Sequence, residues 1–231
     1  MSHSEAPSRR LCVHRLGLRR YGEVFELQKR LVEDTARDPS RAHAHLVLVQ
    51  HPPVITIGRG GTDGNVLASS EALAREGIEV VEVNRGGDVT YHGPGQIVGY
   101  PIVHLDRYER DVHRHLRRLE EAMIRALAEF GIAATRDPKY TGVWVGEDKI
   151  GAIGVAVRHW ITFHGFALNV NTNLSHFAFI RPCGIIGRGV TSMAKVLGRP
   201  VDEREVEDAL VRAFAEVFDL AVAPQTAEAG V

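Results

Sequence analysis

The chain has 231 residues, 44% apolar and 25% charged, with 28 basic against 29 acidic side chains and a formal net charge of -1. That balance gives no overall attraction to nucleic acid or anionic lipid, and no apolar run approaches the ~18 residues of a membrane helix. The polar opening MSHSEAPSRR has no signal-type apolar stretch behind it, so a cytoplasmic globular protein is expected.

Residues 1–10 and 222–231 read as frayed ends that carry no chemistry. Residues 11–16 read as a strand; Tyr21, Val24, Phe25, Leu27, Leu31 and Val32 then recur at helical spacing in a helix expected to end before Pro39. Residues 45–50 and 54–57 read as two strands joined by the rigid break at His51, Pro52 and Pro53. The glycine cluster GRGGTDGN at 58–65 lacks the Gly-Lys-Ser/Thr ending of a phosphate loop, which favours a plain turn. Ser69 or Ser70 can cap a short helix stopping at Gly77, with an alternating strand over residues 78–83.

The stretch NRGGDVTYHGPGQIVGYPI, residues 84–102, sets five glycines and two prolines around a short β-prone core. It presents Arg85, Asp88, Tyr91 and His92 at sharp turns, either as a binding wall or as two hairpin turns with His92 a structural imidazole. A long helix follows, ending at Phe130 and Gly131, with Val112, Leu116, Leu119, Met123 and Leu127 on its apolar side. Arg107, Arg110, Arg114, Arg117 and Arg118 form a basic stripe that is by default a solvated face and alternatively a dock for an acidic partner. His113 and His115 are two positions apart, so they do not share a helix face and are poor joint metal ligands.

Residues 143–145, 149–157 and 160–170 read as an antiparallel meander whose middle strand is KIGAIGVAV. Glycine inside a strand marks a bulge or a close approach of ligand or backbone, and Gly151 and Gly154 do so just after Lys149. A slot floored by bare backbone suits a long thin substrate. Next comes FIRPCGIIGRGVTSM, residues 179–193, which holds Cys183 in a glycine-rich turn. The only other cysteine, Cys12, lies in an apolar run, and the two have no disulfide or zinc spacing. Cys183 is either a packed small hydrophobe or a reactive thiol. An unperturbed thiol is only about 3% thiolate at pH 7, so reactivity needs a neighbouring cation or base, for which Lys149 and the histidines are candidates. A short helix near residues 191–197 and a last helix opened by an Asp202 and Glu205 capping box complete the chain. Without repeats or linkers, residues 1–231 are expected to form a single α/β domain, a mixed sheet flanked by helices with a small C-terminal helical part.

Four blocks, RGGDVTYHGPGQ at 85–96, KIGAIGV at 149–155, HGFALNVN at 164–171 and RPCGI with GVTS at 181–192, occur in the order and spacing of one family. In them the chain resembles the lipoyl(octanoyl) transferases, which share the biotin and lipoate protein ligase fold. The resemblance covers roughly residues 11–220. It implies transfer of an octanoyl or lipoyl group from acyl carrier protein to a lysine of lipoyl domains, those of 2-oxoacid dehydrogenase acyltransferase subunits and of the glycine-cleavage H protein. Such a transfer is the first step of endogenous lipoate biosynthesis.

The implied nucleophile is Cys183, forming a thioester, with Lys149 as its partner. The implied acyl-binding residues are Arg85, Gly86, Gly87, Asp88, Val89, Thr90, Tyr91 and His92, then Ala152, Ile153 and Gly154, then Gly165, Phe166 and Ala167. No metal and no cofactor is implied, since the acyl group arrives on the carrier's phosphopantetheine; a monomer is expected. Two rivals stand beside this reading: an ATP-dependent lipoate or biotin ligase of the same fold, which needs no cysteine, and a non-catalytic module that binds lipoyl domains or acyl carriers.

Overall fold

The computed structural model describes residues 9–38, 43–181 and 188–224, without the side chains of His43 and Asp63. Chain order is β1 (Arg10–Leu18), α1 (Tyr21–Arg37), β2 (His43–Gln50), β3 (Val54–Ile57), α2 (Ser70–Arg75), β4 (Glu79–Glu82), β5 (Val89–His92), β6 (Gln96–Ile102) and α3 (Val112–Ala128). There follow β7 (Thr135–Arg136), β8 (Val143–Val145), β9 (Asp148–Arg158), β10 (Ile161–Asn169), α4 (Met193–Leu197), α5 (Glu203–Phe218) and β11 (Ala221–Val222).

Eight strands form one mixed sheet in the order β11-β1-β2-β6-β10-β9-β8-β7, and β4-β3-β5 form a second, smaller one. The mixed α/β architecture agrees with the expectation from sequence. Two details differ. β2 and β3 do not stay together across the Pro52-Pro53 break, because β2 pairs with β1 and β6 whereas β3 pairs with β4 and β5. Arg10 and Val222, at the inner limits of the ends read as frayed, are paired: Arg10 and Leu11 run parallel with Ala221 and Val222, and Ala223 N donates to Leu11 O. Backbone pairing holds these short strands where their side chains give no signal.

Side-chain caps start the helices where the sequence places them. Ser69 Oγ accepts from Ala72 N, Asp111 from Arg114 N, and Asp202 from both Arg204 N and Glu205 N. The apolar stripes of α3 and α5 cover one sheet face, where Leu119, Met123, Phe214 and Phe218 pack with Leu46, Leu48, Ile97 and Leu168. α1 covers the other, setting Val24 and Leu31 against Val47, Val98, Tyr100 and Ala167. Among the described residues, no helix is long and apolar enough to cross a membrane.

His113 and His115 point to opposite sides of α3, His113 exposed and His115 buried. The basic stripe is largely matched within the chain: Arg110 pairs with Asp106, Arg114 with Glu109 and Arg117 with Glu120, while Arg118 lies over the Tyr108 and Phe218 rings. The stripe therefore offers an acidic partner far less charge than its sequence suggests.

Candidate active site

A cavity of about 410 Å³ lies over the face of β6, β10 and β9 that carries Gln96, Val98, Ala167, Ala152 and Gly154. Register explains the floor. Ala167 pairs with Ala152 on one side and Val98 on the other, and Gly165 pairs with Gly154, so small residues lie side by side on neighbouring strands. The roof is the loop from Arg85 to Asp88. Gly58 N, Arg59 N and Gly60 N donate to Asp88 O, Arg85 O and Gly87 O, and Gly86 N donates to Val155 O of β9. The 58–61 glycines thus hold up this roof. A Cβ on Gly58 would sit 2.4 Å from Gly87 O. Arg85 is buried; its Nη2 donates to Thr56 O (2.8 Å) and its Nη1 to Gly86 O (3.0 Å), which staples the roof to β3. Roof meets floor at Gly154, where a Cβ would lie 2.7 Å from Gly86 O.

Lys149 reaches this cavity because β9 is bulged. Val143 and Trp144 are consecutive on β8, yet they pair with Gly151 and Lys149, leaving Ile150 extra. Ile150 packs in the helical core, and a Cβ on Gly151 would meet Met123 Sδ at 2.9 Å, so two successive residues face the helices. Alternation then returns Lys149 to the side of Ala152 and Gly154. Its Nζ donates to Thr141 O at 3.2 Å and lies 4.8 Å from the centre of the Trp144 ring. Its backbone also bridges residues 189–191, with Lys149 N bonded to Gly189 O and Thr191 N to Lys149 O. Cys183 itself, with residues 182–187, lies outside the described residues.

Most other expected site residues line the cavity: Lys149, Arg85 to Thr90, His92, Ala152 to Gly154, and Gly165 to Ala167. Tyr91 does not. Strand alternation turns it into the core of the small sheet, where its hydroxyl meets His176 Nδ1 at 2.7 Å. Sequence reasoning missed Tyr21 and Tyr100 as lining residues, and it quoted Gln96 and Asn169 without a role. Those two organise His92. Asn169 Nδ2 donates to Thr191 O, so its Oδ1 accepts from Gln96 Nε2, and Gln96 Oε1 must then accept the proton of His92 Nδ1.

Burial, with His51 and Arg85 adding to the effect, pushes the pKa of His92 down to about 3, so at neutral pH it is neutral, with its proton on Nδ1 and its Nε2 lone pair available. His164 is held by Asn84 and Tyr21 in a left-handed conformation (φ 55°) unusual for a non-glycine residue, and burial beside Arg85 lowers its pKa to about 3 as well. Neither is a strong base at neutral pH.

Two further histidines share this behaviour: burial lowers His51 to about 4 and His115 to about 3. In the unfolded chain each binds a proton near pH 6.5, whereas in the fold each stays neutral until pH 3–4. The fold thus loses stability as pH falls from 6.5, by up to about 1.4 kcal/mol per pH unit per histidine. His115 isolates the effect, as among the described residues neither ring nitrogen has a hydrogen-bond partner, and His115 does not itself line the cavity. His115→Phe is expected to raise stability at pH 5 by about 2 kcal/mol more than at pH 8, read from urea unfolding at both values. An equal shift at both would mean that His115 does not titrate with folding.

Residues 20–215 match the family model of the lipoyl protein ligase A/B catalytic domain. An octanoyltransferase of Solibacter usitatus is 50% identical over 216 residues, covering 94% of this chain and 96% of its own. One from Caldicellulosiruptor saccharolyticus is 54% identical over 200 residues, 86% and 84% of the two chains. Solved structures agree in fold at lower identity. A lipoate-protein ligase A bound with ATP has a TM-score of 0.71 at 21% identity, over 96% of this chain and 90% of its own. A bipartite lipoate protein ligase from Thermoplasma acidophilum has 0.70 at 20%, over 96% and 88%. By the family model and by relatives matched over most of both chains, this protein belongs to the lipoyl protein ligase A/B family, among its octanoyltransferases.

Proposed function

We propose that the protein transfers an octanoyl group from acyl carrier protein to a lysine of lipoyl domains, with Cys183 as the nucleophile. Kinship with the octanoyltransferases supports the acyl transfer in lipoate formation. The observation that carries the reading for this chain is the slot: small residues floor it, Lys149 stands at one end, and the roof closes on Gly154 at the other. Along β9 those ends are about 15 Å apart at ~3.3 Å per residue, room for a medium-length acyl chain.

In the first half the Cys183 thiolate attacks the thioester carbonyl, the carbon–sulfur bond to the carrier breaks, and the phosphopantetheine thiol leaves with a proton. An acyl-enzyme thioester remains. In the second half the acceptor lysine amine attacks, the bond to the Cys183 sulfur breaks, and the amide forms. The proton released by the amine passes through Lys149 to the sulfur. Thioester and amine give amide and thiol, so no ATP enters. The test is intact mass after incubation with octanoyl-acyl carrier protein, where one octanoyl adduct is expected. Acylation that requires ATP and free octanoate would replace this reading with a ligase.

Slot length follows from the same geometry. A Gly154→Ala methyl group would meet the backbone oxygen of Gly86, so the roof must shift or the slot must shorten. The variant is expected to lose at least about tenfold in kcat/KM on an octanoyl donor, the scale of a repacked apolar pocket, and less on a butanoyl donor. Equal losses on both donors would remove Gly154 from the distal end.

A further inference from the structure

We propose that Glu120 of α3, which does not line the cavity, is a positioning residue for Lys149. The proposal rests on the reading of Lys149 as the partner in acyl transfer. Glu120 is fully buried, and a buried carboxylate is costly unless its oxygens are engaged. Its Oε2 meets Arg117 at 2.7 Å and Arg136 at 3.3 Å. Its Oε1 accepts from Gly142 N at 3.0 Å, on the loop that leads into β8.

That bond places the residue that holds Lys149. The carbonyl of Thr141, directly before Gly142, is the acceptor for Lys149 Nζ. Gly142 sits at φ 131°, a conformation L side chains rarely adopt, and a Cβ there would lie 3.3 Å from Lys149 Cε and 2.6 Å from Gly151 O. Its bare α-carbon lets the loop close over the lysine. The other end of the loop is fixed by Asp137, whose Oδ1 accepts from Lys139 N and Tyr140 N and whose Oδ2 takes Arg188. The Trp144 ring lies 4.8 Å from both Lys149 Nζ and the Arg188 guanidinium. Lys149 Nζ thus has a carbonyl and an aromatic face beside it, and the carbonyl's place is fixed on its β8 side by a carboxylate from the helix behind.

The experiment labels folded protein with an acetylating amine reagent and reads Lys149 against Lys29 by peptide mass spectrometry, beside steady-state kinetics. Glu120→Leu is expected to raise the Lys149-to-Lys29 labelling ratio about fivefold, the effect of losing one hydrogen bond, and to lower kcat with little change in the KM for the octanoyl donor. Arg117→Gln removes one ion pair of Oε2 and leaves Oε1 to Gly142 N, so it is expected to leave both readouts unchanged even where it lowers the melting temperature. An unchanged ratio in folded Glu120→Leu overturns the proposal, as does Arg117→Gln behaving like Glu120→Leu. If Glu120→Leu does not fold, Gly142→Ala decides: its methyl group displaces the same loop and must raise the ratio, and an unchanged ratio overturns the proposal. Labelling needs no acyl transfer, so a native protein that fails to transfer octanoate defeats the functional reading and leaves this one decided separately.

Discussion

Cys183→Ser and Cys183→Ala are each expected to abolish octanoyl transfer, a loss on the order of 10⁴-fold or more, the scale of removing a nucleophile. A serine hydroxyl is a far poorer nucleophile than a thiol at neutral pH, and alanine has none. Cys12→Ala is expected to stay near normal. Cys12 sits on β1 opposite His45, with β2 between it and the cavity floor of β6, β10 and β9. The check is the octanoyl adduct in intact mass together with amide formation on a lipoyl domain. A dead Cys12 variant with an active Cys183 variant would reverse the assignment.

Lys149→Arg is expected to lose about 10²-fold or more in turnover, the contribution of a general base, while Cys183 stays open to alkylation. Arginine keeps the positive charge, so a purely electrostatic role would survive the change; it has no accessible neutral form, so a proton-accepting role would not. The site gives this prediction more force than sequence could. His92 and His164, the alternative bases, are held near pKa 3 by burial and so are weak acceptors at neutral pH. Near-normal turnover in Lys149→Arg would reduce Lys149 to an electrostatic neighbour.

The meander, α3 and the capped helix starts were legible because their periodicities are local. The pairing of β1 with β11 was not, since Ala221 and Val222 carry no pattern and are placed by backbone partners from the far end of the chain. Gly151 and Gly154 were read together as a bulge or a close approach, and each proves to be one of the two: Gly151 at the bulge, Gly154 under the roof. Simple alternation along KIGAIGV would set Lys149 with Gly151 and Ile153 against the helices, so the face it serves depends on one extra residue that no pattern marks. Tyr91 was misplaced for a related reason, as a motif names a run of residues and a strand divides it between two faces. Glu120 left a signal that went unread: it lies four residues after Leu116, a charge on an apolar stripe.

The order of strands in the large sheet also bears on how the chain acquires its site. β9 and β10 are joined by a two-residue turn at His159 and Trp160, both in left-handed conformations, so the floor and Lys149 come from neighbouring sequence and need little loop entropy to assemble. The roof and the β1 edge are different. Arg85 must find β3, Gly86 must find Val155, and Arg10 must find Ala221 from the opposite end of the chain. Until α5 is in place, the face of β2 and β6 that packs Leu46, Leu48 and Ile97 with Phe214 and Phe218 lacks part of its cover. A nascent chain thus holds the roof and floor of its acyl slot in sequence made before α5, with apolar strand faces open to wrong partners until that last helix covers them.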